Sequence, residues 1–376
     1  MMCLNNNQQT FFELLRAGLW KKETRLSIFD AIDLRKICRI AEEQSVVGLV
    51  AAGLDQVTDA KFPKEDVLQI VGQTLQLEQR NRAMNAFVAK LIERLQDVGI
   101  YALLVKGQGI AQCYEKPLWR ACGDVDLLLN EDDYEKAKKL LVPLATDVET
   151  EYTHFKHVGM TIEGWVVELH GTLHSRLSQR VDKGIDEVQK DVFYGMNVRT
   201  WDNGGTQVFL PSPDNDIIFV FTHILHHFFF EGIGLRQICD WCRLLWTFKD
   251  VIDVAGLSFR LDEMGIMSEW NAFAAYAVEY LGMPEEAMPL YSDDAKWSRK
   301  AARINAFVLE VGNFGHNKLV QGSNGSRVQG YFWRKFKSCW GRLSDMLRHF
   351  RIFPLDSIRF FGGVLRSGLH AAVRGE

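Results

Sequence analysis

The stretch RACGDVDLLLN, residues 120–130, places two aspartates directly before a run of three leucines. The leucines are typical of a buried strand, and side chains two positions apart in a strand lie on the same face. Asp124 and Asp126 are therefore predicted to project together, with Val125 on the opposite face. Carboxylates this close cannot all stay ionised without a cation or a shared proton, so the end of this strand is a candidate binding site.

The segments around this stretch predict a small mixed β-sheet. GIYALLV (99–105) is a short apolar run between glycines, and a helix is expected near Glu131, where acids precede lysines. EYTHFKHVGM and TIEGWVVELH (151–170) alternate like the two strands of a hairpin, and TQVFLP (206–211) is a further candidate strand. The predicted strands lie together in one small mixed sheet between helical regions, which indicates the α+β class.

Helical spacing dominates both ends of the chain. Residues 65–97 form one long amphipathic pattern that stops at Gly99, and apolar residues recur at helical spacing again after Pro211. The sequence therefore predicts an α+β fold in which two helical regions flank the sheet. The expected regions are an N-terminal helical region over 1–98, an α/β core over 99–211, and a C-terminal helical region over 212–376.

A third carboxylate lies on another predicted strand. Glu168 and His170 share a face in VVELH, opposite Val167. If this strand pairs with the strand that carries Asp124 and Asp126, these two carboxylates and Glu168 converge. Clustered carboxylate oxygens select Mg²⁺ or Mn²⁺, and such ions serve phosphoryl and nucleotidyl transfer.

Glycines after the first predicted strand form a candidate phosphate-binding turn. In VKGQGIAQCY, the glycines allow backbone amides to approach a phosphate, and Lys106 supplies a positive charge. Arg120, four residues before Asp124, is a second candidate phosphate contact.

Three segments in this order resemble the polymerase-β-like nucleotidyltransferase superfamily: LLVKGQGIAQCY (103–114), LWRACGDVDLLL (118–129) and VVELHGTLH (166–174). Within it, the chain is most similar to an uncharacterised bacterial family that is often found with surface-polysaccharide genes. That family also has a His-containing helical segment before an LR-x-x-x-D helix, which appears here as THILHHFFFEGIGLRQICDW (222–241). The resemblance covers roughly residues 100–245.

The resemblance implies a Mg²⁺- or Mn²⁺-dependent enzyme that transfers NMP from an NTP to a hydroxyl of a small-molecule or protein acceptor by a two-metal mechanism. It implies catalytic and metal-binding roles for Asp124, Asp126 and Glu168. The nucleotide contacts that it implies are Lys106, Gly107, Gln108, Arg120, Gly123, His170 and Arg236.

One departure from the superfamily pattern supports a different function. Most active members have Gly-Ser at the phosphate turn, where this chain has Lys106-Gly107-Gln108. The alternative is therefore a catalytically inactive module of the same fold that binds a nucleotide or a partner.

Other polar residues have two interpretations each. His170 either contacts substrate or is a half-buried residue that orients its neighbour, and Arg236 and Asp240 either pair on one helix face or line the pocket. Three histidines on an apolar helix, His223, His226 and His227, are interpreted as core or interface residues rather than as metal ligands. Cys239 and Cys242 form a CxxC without the further ligands of a zinc set, and buried helix cysteines are favoured over a metal or redox role.

Composition restricts the class of protein. The 376 residues are 47% hydrophobic and 24% charged with a net charge of −4, as in an ordinary globular protein. Scattered cysteines, and the absence of a basic and apolar leader in the first ten residues, predict a cytoplasmic location. Residues 327–376 hold ten Lys or Arg against three acids and many aromatics. We interpret this as a closing helical segment, and the alternative is a surface for nucleic acid, a nucleotide or anionic lipid such as a membrane. For the whole chain, nucleic acid is not an expected partner, because the net charge is negative.

Overall fold

The computed structural model describes residues 4–151, 156–312 and 348–360 of the chain. The helices with both ends in these ranges are α1 (Asn6–Trp20), α2 (Leu34–Glu43), α3 (Val47–Leu54), α4 (Lys64–Gln96), α5 (Gly107–Ala111), α6 (Glu131–Leu141), α7 (Gln179–Phe193), α8 (Pro213–Phe230), α9 (Leu235–Phe248), α10 (Val254–Met264), α11 (Met267–Leu281) and α12 (Ala295–Val311). The strands are β1 (Ala102–Val105), β2 (Asp124–Leu129), β3 (Asp147–Val148), β4 (His157–Ile162), β5 (Trp165–His170), β6 (Val198–Asn203) and β7 (Thr206–Pro211). The predicted α+β class is confirmed.

Within the described part of the chain, seven strands form one mixed sheet in the order β3-β4-β5-β2-β1-β7-β6. The β2–β5 and β1–β7 pairs are parallel and the remaining pairs are antiparallel. The central place of β2 explains its apolar sequence, because a strand with neighbours on both sides and helices on both faces is buried throughout. The predicted hairpin is β4 and β5, which turn at Glu163 and Gly164.

The two faces of β2 pack against different helices. Val125, Leu127 and Leu129 belong to a core cluster that α4 and α6 complete on one side of the sheet. Leu128 belongs to a second, larger cluster that includes residues of α8 and α9. Since alternate residues share a face, Asp124 and Asp126 lie on the second side, where the sheet meets the helices of the C-terminal region.

Helix α4 confirms the long amphipathic helix but not its whole apolar face. Its second half packs on the sheet through residues such as Phe87 and Leu91. In its first half, Val71 and Leu75 are 46% and 52% exposed. Helical spacing identified the helix correctly, but the sheet is only long enough to cover its later turns.

The N-terminal and C-terminal helices share one core. Residues of α1, α3, α8, α9 and α11 belong to the same buried cluster. The Arg16 guanidinium donates to the Tyr280 carbonyl at 2.9 Å, and the Trp20 indole donates to the Leu281 carbonyl at 2.6 Å. The division of the chain at 98/99 and 211/212 stays a prediction.

Two predictions from composition can be compared with parts of the structure. Cys239 and Cys242 are fully buried free cysteines on α9, as expected of a helix interior. Most of the basic segment 327–376 lies outside the described residues, but Phe353 and Phe360 are buried in the larger core cluster. Across residues 4–151, 156–312 and 348–360, every helix is too short or too polar to cross a bilayer.

Candidate active site

Three carboxylates meet where β2 and β5 run side by side. The parallel register pairs Asp126 with Glu168, and Asp124 lies two positions before Asp126 on the same face. One oxygen of each of the three carboxylates lies within 4.8 Å of the others. The strand pairing that the sequence required for this convergence is present.

A lysine ammonium partly neutralises the cluster. Strand β1 pairs with β2 so that Val105 is opposite Asp126, and Lys106 follows with a left-handed φ of 58°. The Lys106 Nζ lies 3.1 Å from the Asp126 Oδ1. The structure gives Lys106 a carboxylate partner, and its predicted contact with a phosphate stays a prediction.

Two histidines also contact the carboxylates. The His170 Nε2 lies 2.9 Å from the Asp126 Oδ1 and 3.4 Å from the Glu168 Oε2. The His157 Nε2 lies 3.2 Å from the same Glu168 oxygen, and its ring stacks on that of His170 with centroids 4.7 Å apart. The sequence analysis missed His157, although its position opposite His170 in the hairpin register was a usable signal.

The surroundings of the three acids shift their pKa values in different directions. Burial alone would raise the pKa of Asp126, but Lys106 and His170 hold it below its ordinary value. Burial would also raise the pKa of Glu168, and hydrogen bonds from His157 and His170 lower it instead. Repulsion from Asp126, followed by burial, raises the pKa of Asp124. Asp124 is therefore the acid that an added cation would most help to ionise.

Arg120 lies in the cavity wall as half of a buried ion pair. Its Nη2 lies 2.6 Å from Asp240 Oδ2, its Nε donates to Asp240 Oδ1 at 3.1 Å, and the Tyr114 hydroxyl donates to the same Oδ1 at 2.7 Å. Asp240 thus has Arg120 as a bidentate partner, a contact across 120 residues that the predicted pairing with Arg236 did not anticipate. The Arg236 guanidinium donates to the Ala121 carbonyl at 2.9 Å and also lines the cavity.

Of the three predicted nucleotide contacts Gly107, Gln108 and Gly123, Gly107 lies at the cavity. Gly107 lines the cavity at the start of α5. Gln108 is 1% exposed, and its side-chain amide donates to the Met84 sulfur on α4, so this side chain lies in the interior and outside the cavity lining; its predicted nucleotide contact stays a prediction. Gly123 is exposed with open space at its Cα, so no close backbone approach requires glycine there.

A cavity of about 450 Å³ lies over the carboxylates, large enough for a small-molecule ligand. Its far wall consists of His223, His226 and His227 of α8, together with Glu231. This corrects the expectation that the three histidines are core residues. Their i, i+3, i+4 spacing puts them on one helix face, and that face meets the cavity instead of the apolar core.

Hydrogen bonds and close contacts order the histidine wall. The His223 and His227 Nε2 atoms are 3.0 Å apart, and the His227 Nδ1 lies 2.8 Å from the Glu231 Oε2. The His226 Nδ1 lies 2.7 Å from the Ser175 carbonyl. Burial lowers the pKa of His223 and of His227, so these two side chains face the cavity as neutral imidazoles.

The carboxylate cluster fits a divalent cation of the Mg²⁺ type. Such ions take oxygen ligands, and three carboxylate oxygens within 4.8 Å of one another supply them. The adjoining cavity leaves space for further ligands from a substrate.

Comparison with known protein families supports the nucleotidyltransferase part of the resemblance seen in the sequence. None of the curated proteins matches the chain. A solved structure, an antigenic nucleotidyltransferase-like protein from Paracoccidioides brasiliensis, is similar at 15% identity and a TM-score of 0.31, over 53% of this chain and 92% of that one. The model of a family described as "Uncharacterised nucleotidyltransferase" matches residues 30–282. The association with surface-polysaccharide genes stays a prediction. Because the family model matches more than half of the chain, the chain belongs to this uncharacterised nucleotidyltransferase family.

Proposed function

We propose that the protein transfers NMP from an NTP to a hydroxyl group of an acceptor, with Mg²⁺ or Mn²⁺ bound by Asp124, Asp126 and Glu168. The observation that carries the proposal is the convergence of these carboxylates on paired strands beneath a ligand-sized cavity. Family membership supports nucleotidyl transfer as the reaction class. The acceptor is a small hydroxylated molecule such as a sugar, or a protein hydroxyl.

The transfer forms a bond from the acceptor oxygen to the α-phosphorus and breaks the bond from that phosphorus to the pyrophosphate oxygen, and the proton of the acceptor hydroxyl is released to solvent. When bound, the divalent ions supply Lewis-acid activation and stabilise the charge of the leaving pyrophosphate. The chain contributes positioning and fixed charge. His170, bonded to Asp126 and Glu168, orients both carboxylates.

We propose that two cationic side chains contact the phosphates. Lys106 and Arg236 line the cavity near Asp124, and Lys106 is able to exchange its bond to Asp126 for one to a phosphate oxygen. The backbone amide of Gly107 is a third candidate. Arg120 is held by Asp240, so we assign it the role of shaping the wall.

The direct experiment offers labelled ATP, CTP, GTP and UTP to the purified protein with Mg²⁺ and cell extract. We expect label to transfer from one or more of the four, and the double variant Asp124→Asn, Asp126→Asn to abolish the transfer. Asp132→Asn is the matched control, because Asp132 is an exposed acid on α6 outside the cavity. Transfer that survives the double variant would reject this site assignment.

The alternative function, nucleotide binding without turnover, is favoured by one feature of the turn. Gln108 stands where active relatives of the superfamily have serine, and its side chain is buried against Met84. A thermal shift with one NTP that is unaccompanied by label transfer would support this alternative. A ligand at 100 times its Kd stabilises the folded state by about 2.7 kcal/mol, which such a measurement detects readily.

A further inference from the structure

Two imidazoles and one carboxylate converge beside the carboxylate cluster, on the side of β4. His157 and His170 are directly opposite each other in the antiparallel register of β4 and β5, and Glu168 lies two positions before His170. All three side chains therefore share one face of the sheet. Both Nε2 atoms approach the same oxygen, the Glu168 Oε2, at 3.2 Å and 3.4 Å.

These separations have the size of a coordination shell. Two donors bonded to tetrahedral Zn²⁺ at about 2.0–2.1 Å lie about 3.3–3.4 Å from each other. The donor atoms of His157, Glu168 and His170 all lie within 4.8 Å of one another. The two imidazole rings are inclined by 25° with their centroids 4.7 Å apart, and both present Nε2 to the shared Glu168 oxygen.

The donor types select a different ion from the one that fits the carboxylates. Imidazole nitrogen is a ligand for Zn²⁺ and similar transition ions, whereas Mg²⁺ keeps to oxygen ligands and water. Glu168 belongs to both groups, while Asp124 belongs only to the carboxylate group. The two groups are thus distinguishable by metal and by residue.

We propose that His157, Glu168 and His170 form a transition-metal site that binds Zn²⁺. Three protein ligands leave a fourth coordination position, and all three residues line the cavity, so this position is accessible to a ligand within it. The site does not require the proposed transfer activity. Since Glu168 is shared, Zn²⁺ at this position competes with any ion held by the carboxylates for that ligand.

The competing explanation is that the histidines serve only as hydrogen-bonding partners of the acids. In that arrangement, His157 holds Glu168 and His170 bridges Glu168 and Asp126. Tetrahedral Co²⁺ gives intense visible d–d absorption and is a spectroscopic substitute for Zn²⁺. Its spectrum separates the two explanations, because a hydrogen-bonding network alone produces no such absorption.

The test is titration of the metal-stripped, full-length protein with Co²⁺, followed by displacement with Zn²⁺. We expect one tetrahedral Co²⁺ per chain that Zn²⁺ displaces. Replacing a residue that only supports a metal ligand typically costs about 10–100-fold in metal affinity, so loss of the ligand itself in His157→Ala should cost more than about 100-fold. His157→Gln repeats the test with a side chain closer in size, and thermal melting verifies that each variant is folded.

The matched control is His174→Ala. His174 lines the same cavity but pairs with Asp186, with 2.6 Å between its Nε2 and the Oδ1, and lies outside the cluster. Co²⁺ binding should be unchanged in this variant and retained in Asp124→Asn. A weak octahedral spectrum, an unchanged affinity in both His157 variants, or loss of the band in Asp124→Asn would each overturn the proposal. Because the readout is spectroscopic, failure of NMP transfer leaves it unaffected.

Discussion

At the scale of single residues, one buried ion pair holds the cavity wall in place. Arg120 and Asp240 are 7% and 3% exposed, and their bidentate contact joins the segment before β2 to α9. Breaking a buried pair by removing one partner leaves an uncompensated charge and costs about 3–5 kcal/mol. We therefore expect Asp240→Asn to lower the free energy of unfolding by that amount, measured by urea denaturation.

The control for this variant is Asp250→Asn. Asp250 has the same chemistry, but its side chain is 83% exposed and pairs with its neighbour Lys249. An exposed pair of this kind contributes between about 0 and 1 kcal/mol. Equal losses in the two variants would mean that burial does not determine the importance of the Arg120–Asp240 pair.

A second prediction at this scale concerns the effect of the Lys106 ammonium on activity. Lys106→Met keeps the length of the side chain and the left-handed backbone but removes the charge 3.1 Å from Asp126. Under the proposed function, kcat/KM for NMP transfer should fall by about 10²–10³, the usual effect of removing one preorganised electrostatic contact. Lys116→Met is the control, since Lys116 pairs with Asp55 outside the cavity. Full activity in Lys106→Met would exclude a role in phosphate contact.

At the scale of elements, the crossing of α1 and α3 depends on glycine. A Cβ added to Gly18 would lie 2.0 Å from the Leu49 carbonyl oxygen, and one added to Gly53 would lie 2.0 Å from that of Leu14. Backbone atoms cannot yield as a flexible side chain would, so Gly18→Ala must push the helices apart. Overpacking of this kind typically costs about 1–3 kcal/mol, to be measured by urea denaturation.

The matched control is Gly72→Ala on α4, where an added Cβ meets no atom within 4 Å. Gly costs a helix interior about 0.5–1 kcal/mol relative to Ala, so this variant should gain stability of that size. The same substitution is thus expected to have opposite signs on two helices. Destabilisation of both variants by similar amounts would contradict the crossing geometry.

Local sequence signals account for the elements better than for their contacts. The leucine run of β2, the alternation of β4 and β5, and the acids in the first turn of α6 are each signals within the element's own sequence, so these elements were predictable. Strand β6 was missed because it is polar and only half-buried, although the Gly204–Gly205 turn after it was a hairpin signal. The exposed, two-residue β3 offered too little pattern to detect.

In the candidate site too, local sequence patterns predict which residues share a face but not which residues they contact. The shared face of Asp124 and Asp126 follows from strand periodicity alone. The partners of these acids do not: Arg120 meets Asp240 across 120 residues, and the face of α8 that meets the cavity is set by how that helix packs on the sheet. The strong apolar character of α8 favoured a core position for its histidines, whereas tertiary packing exposes them to the cavity.

At the scale of the whole molecule, the larger core cluster joins residues from the N-terminal helices to the segment 348–360. Glu269 of α11 is fully buried beside that segment. Burial, and next the nearby charge of Asp356, raise the pKa of Glu269 well above its ordinary value of 4.5. Folding must therefore keep a proton on this carboxyl at a pH where the unfolded chain releases it.

The sign of the effect on stability follows from this difference. Below pH 4.5 both states hold the proton, so the raised pKa has no effect on stability. As the pH rises above 4.5, the unfolded chain loses the proton first, and folding becomes less favourable by about 1.4 kcal/mol for each pH unit until the folded-state pKa is reached. Glu269→Gln is neutral throughout, so we expect its melting temperature relative to the parent to increase between pH 5 and pH 8. Glu279→Gln, at an exposed position of the same helix, is the control. A difference in melting temperature between Glu269→Gln and the parent that is the same at both pH values would show that Glu269 folds in its ionised form.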